Sequence, residues 1–372
     1  MNVLYTETDF WKFLKNEKNI YLYGAGNIGC LVAKRLKRYQ IFICGYIETQ
    51  PTIEKKDGLP VVSVESIQDE EDLCIVVATT SKFHHEILDN LVGYKKIFIV
   101  SNLLIRSMKM IDEKKLQFQT HLVEHCNLNC RGCYHFSPLA KEEYLSIEEY
   151  ANDIERLSNL FEKRMERILL LGGEPLLHPQ LIDFFRITRK FFPNGSIQVL
   201  TNGILLLQMK EEFYHALREC MVELWVTKYP VSFDYDKAEK IALQYGVKLN
   251  YFSKEPVRSL GHQPLDITGN QDGFRNFVQC YRANECIDLK HGKMYSCIIP
   301  AEIKAFCEYY KLDIPVTEHD YVDIYKVDTA EELLKELGNP ISFCRYCNRE
   351  AVEVFGVSPW EKTKYKIEEW TR

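Results

Sequence analysis

The sequence predicts an α/β protein: two parallel sheets in succession, then a small cysteine-rich region. Three observations carry this. Short apolar runs end repeatedly in polar or glycine-containing turns and lead into amphipathic stretches of helical period, the alternation that builds parallel sheets. A G-x-G-x-x-G turn, Gly24-Ala-Gly26-Asn-Ile-Gly29, stands between such a run and such a helix near the N-terminus. Beyond about residue 275 the alternation stops, and cysteines follow at positions 280, 286, 297, 344 and 347.

At 372 residues the chain is long enough for two or three domains. Its net charge of -6, with lysines and arginines scattered, offers no basic stripe for a phosphate backbone, so no nucleic-acid partner is expected. No apolar run approaches ~18 residues and the N-terminus lacks the basic and apolar regions of an export signal, so no membrane association and a cytoplasmic location are expected. The 13 cysteines cluster as C-x2-C and C-x3-C, which suits metal in a reducing compartment better than disulfides.

Residues 1–104 read as the first domain. After an amphipathic segment, Asp9–Lys15, a strand is predicted at Asn19–Tyr23, then the glycine turn, then a helix over Cys30–Leu36. In that context the glycines let the backbone approach a phosphate and the helix N-terminus supplies free N–H groups. A second strand, Ile41–Ile47, ends at Glu48, near the usual ribose-binding position, and strands at Leu73–Ala78 and Lys96–Val100 complete a small doubly wound sheet. The runs YGAGNIG, GYIET and Gly58-Leu-Pro-Val-Val-Ser63 resemble the Rossmann-like N-terminal domains of sugar acetyltransferases and other surface-glycan enzymes. That resemblance implies a nucleotide-linked sugar held by Gly24, Gly26, Gly29 and Glu48; a scaffold or partner surface is the alternative, since fold does not fix function. The charged segment Arg106–Lys115, within a linker over 105–116, reads as a connection or short helix.

Residues 117–275 read as a partial (β/α) barrel. A strand over Leu116–Val123 leads to Cys126-Asn-Leu-Asn-Cys130-Arg-Gly-Cys133. Helix Ile147–Phe161 precedes strand Arg167–Leu171, which stops at Gly172-Gly173-Glu174-Pro175; helix Leu181–Phe192 precedes strand Ile197–Leu200, which stops at Thr201-Asn202-Gly203. Helix Leu207–Cys220, strand Val222–Thr227, helix Tyr235–Tyr245 and strand Val247–Phe252 extend the repeat. Function in such barrels gathers at the C-terminal ends of the strands, where the cysteines, Glu174, Asn202 and Thr227 all fall. Three thiolates on one loop select zinc or an iron-sulfur cluster, and three rather than four leave one metal position open.

Cysteines after the first strand, GGEP after the second and TNG after the third together resemble the radical S-adenosylmethionine (SAM) enzymes, over roughly residues 117–255. The resemblance implies that Cys126, Cys130 and Cys133 hold three irons of a 4Fe-4S cluster while SAM chelates the fourth. One electron then cleaves SAM to a 5'-deoxyadenosyl radical that abstracts hydrogen from the substrate, with flavodoxin or ferredoxin as donor. Gly172, Gly173, Glu174 and Pro175 are expected at SAM, Glu174 pairing with its ammonium, and Thr201 and Asn202 at its ribose or carboxylate. The family usually has an aromatic residue before the third cysteine; here that position is Gly132, and Tyr134 is the replacement expected near adenine. His125, His135 and His178 lie beside these motifs and are assigned no catalytic role.

Residues 276–350 resemble the auxiliary-cluster domains, of twitch or SPASM type, that follow the barrel in many such enzymes. A strand, glycine turn and strand over Ile287–Ser296 ends at Cys297, and Cys344-Arg-Tyr-Cys347 follows. Cys280, Cys297, Cys344 and Cys347 are the favoured ligands of a second 4Fe-4S cluster, Cys286 is the alternative to Cys280, and zinc suits four thiolates equally. Residues 351–372 read as a tail. Three functions remain open on the sequence: radical chemistry on a nucleotide-linked sugar or glycan precursor, the same chemistry on a peptide, or a non-catalytic iron-sulfur or zinc redox sensor.

Overall fold

The computed structural model describes residues 2–4, 7–80, 83–101, 104, 105, 108, 116–280, 282, 283 and 286–372. The chain divides into two compact units, Met1–Glu113 and Lys114–Arg372. Arg106–Lys115 lies outside the described residues except for Met108, which is buried in the first unit's core.

The first unit holds strands β1 (Asn2–Leu4), β2 (Asn19–Tyr23), β3 (Gly45–Ile47), β4 (Lys55–Lys56), β5 (Leu59–Val62), β6 (Leu73–Val77) and β7 (Lys96–Val100). They pair in the order β1-β7-β6-β2-β3-β5-β4, parallel except for β4 against β5. From β2 the chain moves outward through β3 and β5, then crosses to the other side of β2 at β6. The sheet therefore reverses direction at β2, where an open α/β sheet forms its crevice. Alternate residues of β2 serve two cores: Ile20 and Leu22 pack with Val32 and Leu36 of the helix Asn27–Arg38, Tyr21 and Tyr23 with Ile87 and Leu91 on the opposite face. The strand expected over Ile41–Ile47 is shorter. The Ile41 N–H bonds back to Leu36 O at 3.0 Å and Phe42 is exposed, so the first half of that run closes the helix rather than joining the sheet.

The second unit holds β8 (Leu116–Val123), β9 (Met165–Gly172), β10 (Ser196–Thr201), β11 (Val222–Val226), β12 (Leu249–Tyr251), β13 (Ser259–Gly261), β14 (Asp288–Lys290), β15 (Lys293–Tyr295), β16 (Val322–Asp323) and β17 (Val357–Pro359). Strands β8 to β12 lie side by side in chain order and parallel, the partial barrel expected from the repeat. On the other flank of β8 the sheet continues through β14, β15 and β16. Almost every residue of β8 is buried, yet it carries Gln119, Thr120 and His121. The first two have partners on the added flank: Gln119 donates to Asp288 at 3.0 Å and Thr120 to Leu289 O at 2.9 Å, so these polar groups fasten β14 to the barrel. Between β14 and β15, His291 and Gly292 both take positive φ, 50° and 66°, as a tight two-residue hairpin requires.

Three C-terminal helices, Ile298–Tyr310, Ala330–Leu337 and Arg349–Phe355, were not announced by the sequence pattern. The first begins immediately after Cys297 and is apolar around most of its circumference, which erases the helical period. Residues 357–359 pair antiparallel with β13, so the segment read as a tail folds back onto the second unit. Among the described residues no helix is long and apolar enough to cross a membrane.

Candidate active site

The C-terminal ends of β8 to β11 converge on a cavity of about 210 Å³. Cys126, Cys130, Cys133, Tyr134, Gly172, Gly173, Thr201 and Asn202 line it, together with Tyr229, which the sequence did not single out. Glu174 and Pro175 do not.

The two glycines hold the cysteine loop in place. Their backbone continues the β8–β9 pairing into the loop: Gly173 N–H donates to Val123 O at 2.7 Å and Glu174 N–H to His125 O at 3.1 Å. A Cβ at Gly172 would stand 2.4 Å from Val123 O and one at Gly173 2.0 Å from His125 O, closer than any side chain tolerates. Glu174, expected at the SAM ammonium, is buried and has both oxygens engaged inside the protein. It accepts from the Thr201 hydroxyl at 2.6 Å, Asn202 N–H at 2.9 Å and Leu176 N–H at 3.0 Å, which straps the turn after β9 to the turn after β10. Burial pushes its carboxyl up to about 7 against the pull of those three donors.

Each sulfur of the trio has a donor. The Cys126 sulfur accepts from Leu128 N–H at 3.3 Å and from the Asn202 amide at 3.9 Å, Cys130 accepts from the Trp360 indole at 3.2 Å, and the backbone N–H groups of His135, Ser137 and Phe136 pull the Cys133 thiol down against its burial. Burial pushes all three thiols up, Cys133 to about 12, so a metal entering here displaces protons from buried thiols. One tetrahedral zinc would draw its sulfurs to about 3.8 Å apart, given bonds of about 2.3 Å. Among the described residues no three cysteine sulfurs lie mutually within 4.8 Å. Three donor-stabilised sulfurs, spread more widely than around one ion and facing a cavity, fit a 4Fe-4S cluster with one iron left for SAM.

Residues 121–244 match the family model of the radical SAM superfamily. This stretch is a radical SAM domain. Such domains form the core of enzymes that use a 4Fe-4S cluster with SAM, and those are this domain's cofactors. The GTP 3',8-cyclase of Trichodesmium erythraeum is 32% identical over 108 residues, 28% of this chain and 32% of the relative. That of Campylobacter lari is 23% identical over 257 residues, 63% of this chain and 76% of the relative. The chain thus spans about a third of the first cyclase. Among solved structures, BtrN in complex with AdoMet and 2-DOIA aligns at 19% identity over 64% of this chain and 95% of that one, with a TM-score of 0.41.

The C-terminal segment clasps the loop of the radical SAM domain, and no sequence motif announces it. Arg131 N–H donates to Glu361 O at 2.9 Å, Thr363 N–H to Asn129 O at 2.8 Å, and the Trp370 indole to Cys133 O at 2.9 Å. The clasp also accounts for Gly132. Its φ is +61°, and a Cβ there would meet His262 Nδ1 at 2.3 Å and Glu369 O at 2.8 Å, so no aromatic side chain fits. Tyr134 lies under the Arg282 guanidinium, 4.5 Å from the ring centre.

Of the flanking histidines, His135 lines the cavity and its Nδ1 sits 2.7 Å from Nε2 of His121. Burial pushes His121 down to about 3, so it is neutral. His121, Glu124 and Glu302 form the one trio of donor atoms within 4.8 Å among the described residues. Lys290 already pairs with Glu302 at 2.6 Å and Glu124 at 2.9 Å, which makes this an ion-pair network in which one lysine serves two carboxylates. His178 is tied to Leu145 O at 3.0 Å, and His125 stacks edge-on against Tyr144.

The second cysteine group is assembled from separate segments. Cys297 is pushed up by burial and by the nearby sulfurs of Cys280, Cys347 and, last, Cys286; Cys344 by burial and by Cys347, Cys297 and Cys280. The amide of Asn276 donates to Cys344 O at 3.0 Å and Cys347 O at 2.6 Å and so fixes the turn that presents both.

In the first unit, Gly24 follows β2 with φ +119°, and a Cβ at Gly29 would stand 1.8 Å from Gly24 O, so turn and helix pack as the glycine spacing implies. Gly26 caps the helix Asn27–Arg38 and faces open space; Glu48 N–H is held by Val62 O at 3.0 Å.

Proposed function

We propose that this chain cleaves SAM reductively and abstracts a hydrogen atom from a nucleotide or a nucleotide-carried small molecule. One observation carries the reading: three cysteines of a radical SAM domain line one cavity with the turns after β9 and β10. A 4Fe-4S cluster there supplies the electron that splits SAM into methionine and the hydrogen-abstracting 5'-deoxyadenosyl radical.

The chain's own residues orient and enclose. Cys126, Cys130 and Cys133 hold the cluster; Gly172 and Gly173 set the loop that carries them; Thr201 and Asn202 face SAM. Glu174 acts one layer behind by fixing Thr201 and Asn202. Tyr134 and Tyr229 supply aromatic wall where adenine needs an apolar face. Cys280, Cys297, Cys344 and Cys347 hold the second cluster, with Cys286 the alternative to Cys280, in a twitch-type region. The Rossmann-like first domain takes the nucleotide through Gly24, Gly26, Gly29 and Glu48. A nucleotide substrate is supported by the cyclase relatives, whose name specifies GTP, and by the glycine turn. The glycan reading rests on the first domain's sequence alone, and the peptide reading on the resemblance of the cysteine-rich region to auxiliary-cluster domains.

Anaerobically reconstituted, reduced protein should release 5'-deoxyadenosine from SAM, and Cys130→Ala should lower that release at least ~1000-fold, as losing a cofactor ligand removes the chemistry with it. Mass spectrometry of the nucleoside decides. Equal release from both proteins ends this proposal, and none from the wild type leaves the redox-sensor reading.

A further inference from the structure

We infer that Trp360 tunes the cluster held by the cysteine loop, by donating its indole N–H to the Cys130 sulfur. The inference rests on the cluster assignment above and concerns a residue 230 positions away in the chain. Among the described residues, the Cys126 sulfur accepts from Leu128 N–H of its own loop at 3.3 Å and more distantly from the Asn202 amide at 3.9 Å, whereas Cys130 takes the Trp360 indole at 3.2 Å, the shortest side-chain donor to a sulfur of the trio.

That indole is held from both sides. The C-terminal segment's backbone bonds to the loop before and after Cys130, through Thr363 N–H to Asn129 O and Arg131 N–H to Glu361 O, and an isolated bridge pairs Cys130 with Lys362. The Trp360 ring rests against Tyr229 on the cavity wall, with centroids 5.9 Å apart. A donor fixed at both flanks keeps its geometry through a redox cycle.

An electron added to the cluster makes its thiolates more negative, so an N–H bond to sulfur strengthens in the reduced state and raises the reduction potential. Trp360 is thus a positioning and tuning residue that makes the cluster easier to reduce. Trp370 provides the internal control. It belongs to the same C-terminal segment and is also an indole donor, yet it bonds Cys133 O rather than a sulfur.

The test is a redox titration of anaerobically reconstituted protein, followed on the EPR signal that SAM perturbs, for wild type, Trp360→Phe and Trp370→Phe. At a fixed potential the reduced-to-oxidised ratio should fall three- to tenfold in Trp360→Phe, tenfold being 59 mV for a one-electron couple, and stay within twofold in Trp370→Phe. Should Trp360→Phe fail to fold, 3-benzothienylalanine at position 360 keeps the bicyclic shape without the N–H and must give the same shift. A SAM-sensitive signal with unchanged potential overturns the inference, as does an equal shift in both variants. No SAM-sensitive signal in the wild type instead overturns the cluster assignment, and this inference with it.

Discussion

The two cysteine groups are built in opposite ways. Cys126, Cys130 and Cys133 sit on one loop after β8, on the wall of a cavity. Cys280, Cys297, Cys344 and Cys347 come from three segments; Cys344 is buried and the other three are half-buried, with burial pushing Cys347 up to about 12. A single loop cannot wrap a metal centre on all sides, so it leaves a face for a ligand; segments arriving from several directions can close their centre completely. Open coordination suits chemistry on SAM, closed coordination suits electron transfer or scaffolding.

Among changes that leave every sulfur in place, the largest effect should come from moving the open group. In Gly173→Ala the new methyl would fall 2.0 Å from the His125 carbonyl, and neither backbone can yield without shifting the loop between them. A displacement near 1 Å at a reacting centre costs on the order of 100-fold. SAM cleavage should drop by that much or more, while the second group keeps its iron. Unimpaired cleavage would show that the glycines do not position the cysteines.

Cys344→Ala sharpens the contrast from the other side. With two 4Fe-4S clusters the wild type carries about eight iron atoms per chain, and the variant should carry about four while keeping the SAM-sensitive EPR signal. A full iron content, with Cys286 recruited instead, would contradict the ligand set favoured here. Zinc in place of the lost iron would identify the closed site as structural.

The contrast also sets how much of the molecule the sequence discloses. Strands β2, β7 and β8 and the helices after residues 146 and 180 read directly, because their apolar period is local. The cysteine trio reads directly for the same reason. Trp360 and Trp370 carry no motif and come to the loop through the segment that follows β17, His262 comes to it from the end of β13, and Glu174 gives no hint in sequence that two of its three donors lie 27 and 28 residues on. The helix Ile298–Tyr310 escaped because burial on most sides removes the polar face that marks a period. Gly132 reads as a departure from the family pattern until the clasp that fills its space is seen.

The smallest expected effect tests whether Glu174 is a strap or a SAM ligand. Its folded value near 7 lies above the ordinary 4.5, so the stability it contributes is fully present below pH 4.5 and is lost as pH rises through 7. A shift of that size amounts to ~3 kcal/mol across the window. Glu174→Gln has no charge to bury and should lose this component, so the wild-type-minus-variant difference in urea stability should fall by up to ~3 kcal/mol between pH 4.5 and 8. A second cost is independent of pH. Whichever way the amide is turned, its NH2 faces Asn202 N–H or Leu176 N–H, and a buried donor left unsatisfied costs ~1–3 kcal/mol. If instead the carboxylate pairs with the SAM ammonium, the variant should keep its pH slope in the absence of SAM and weaken SAM binding in calorimetry. That outcome would return Glu174 to the open group.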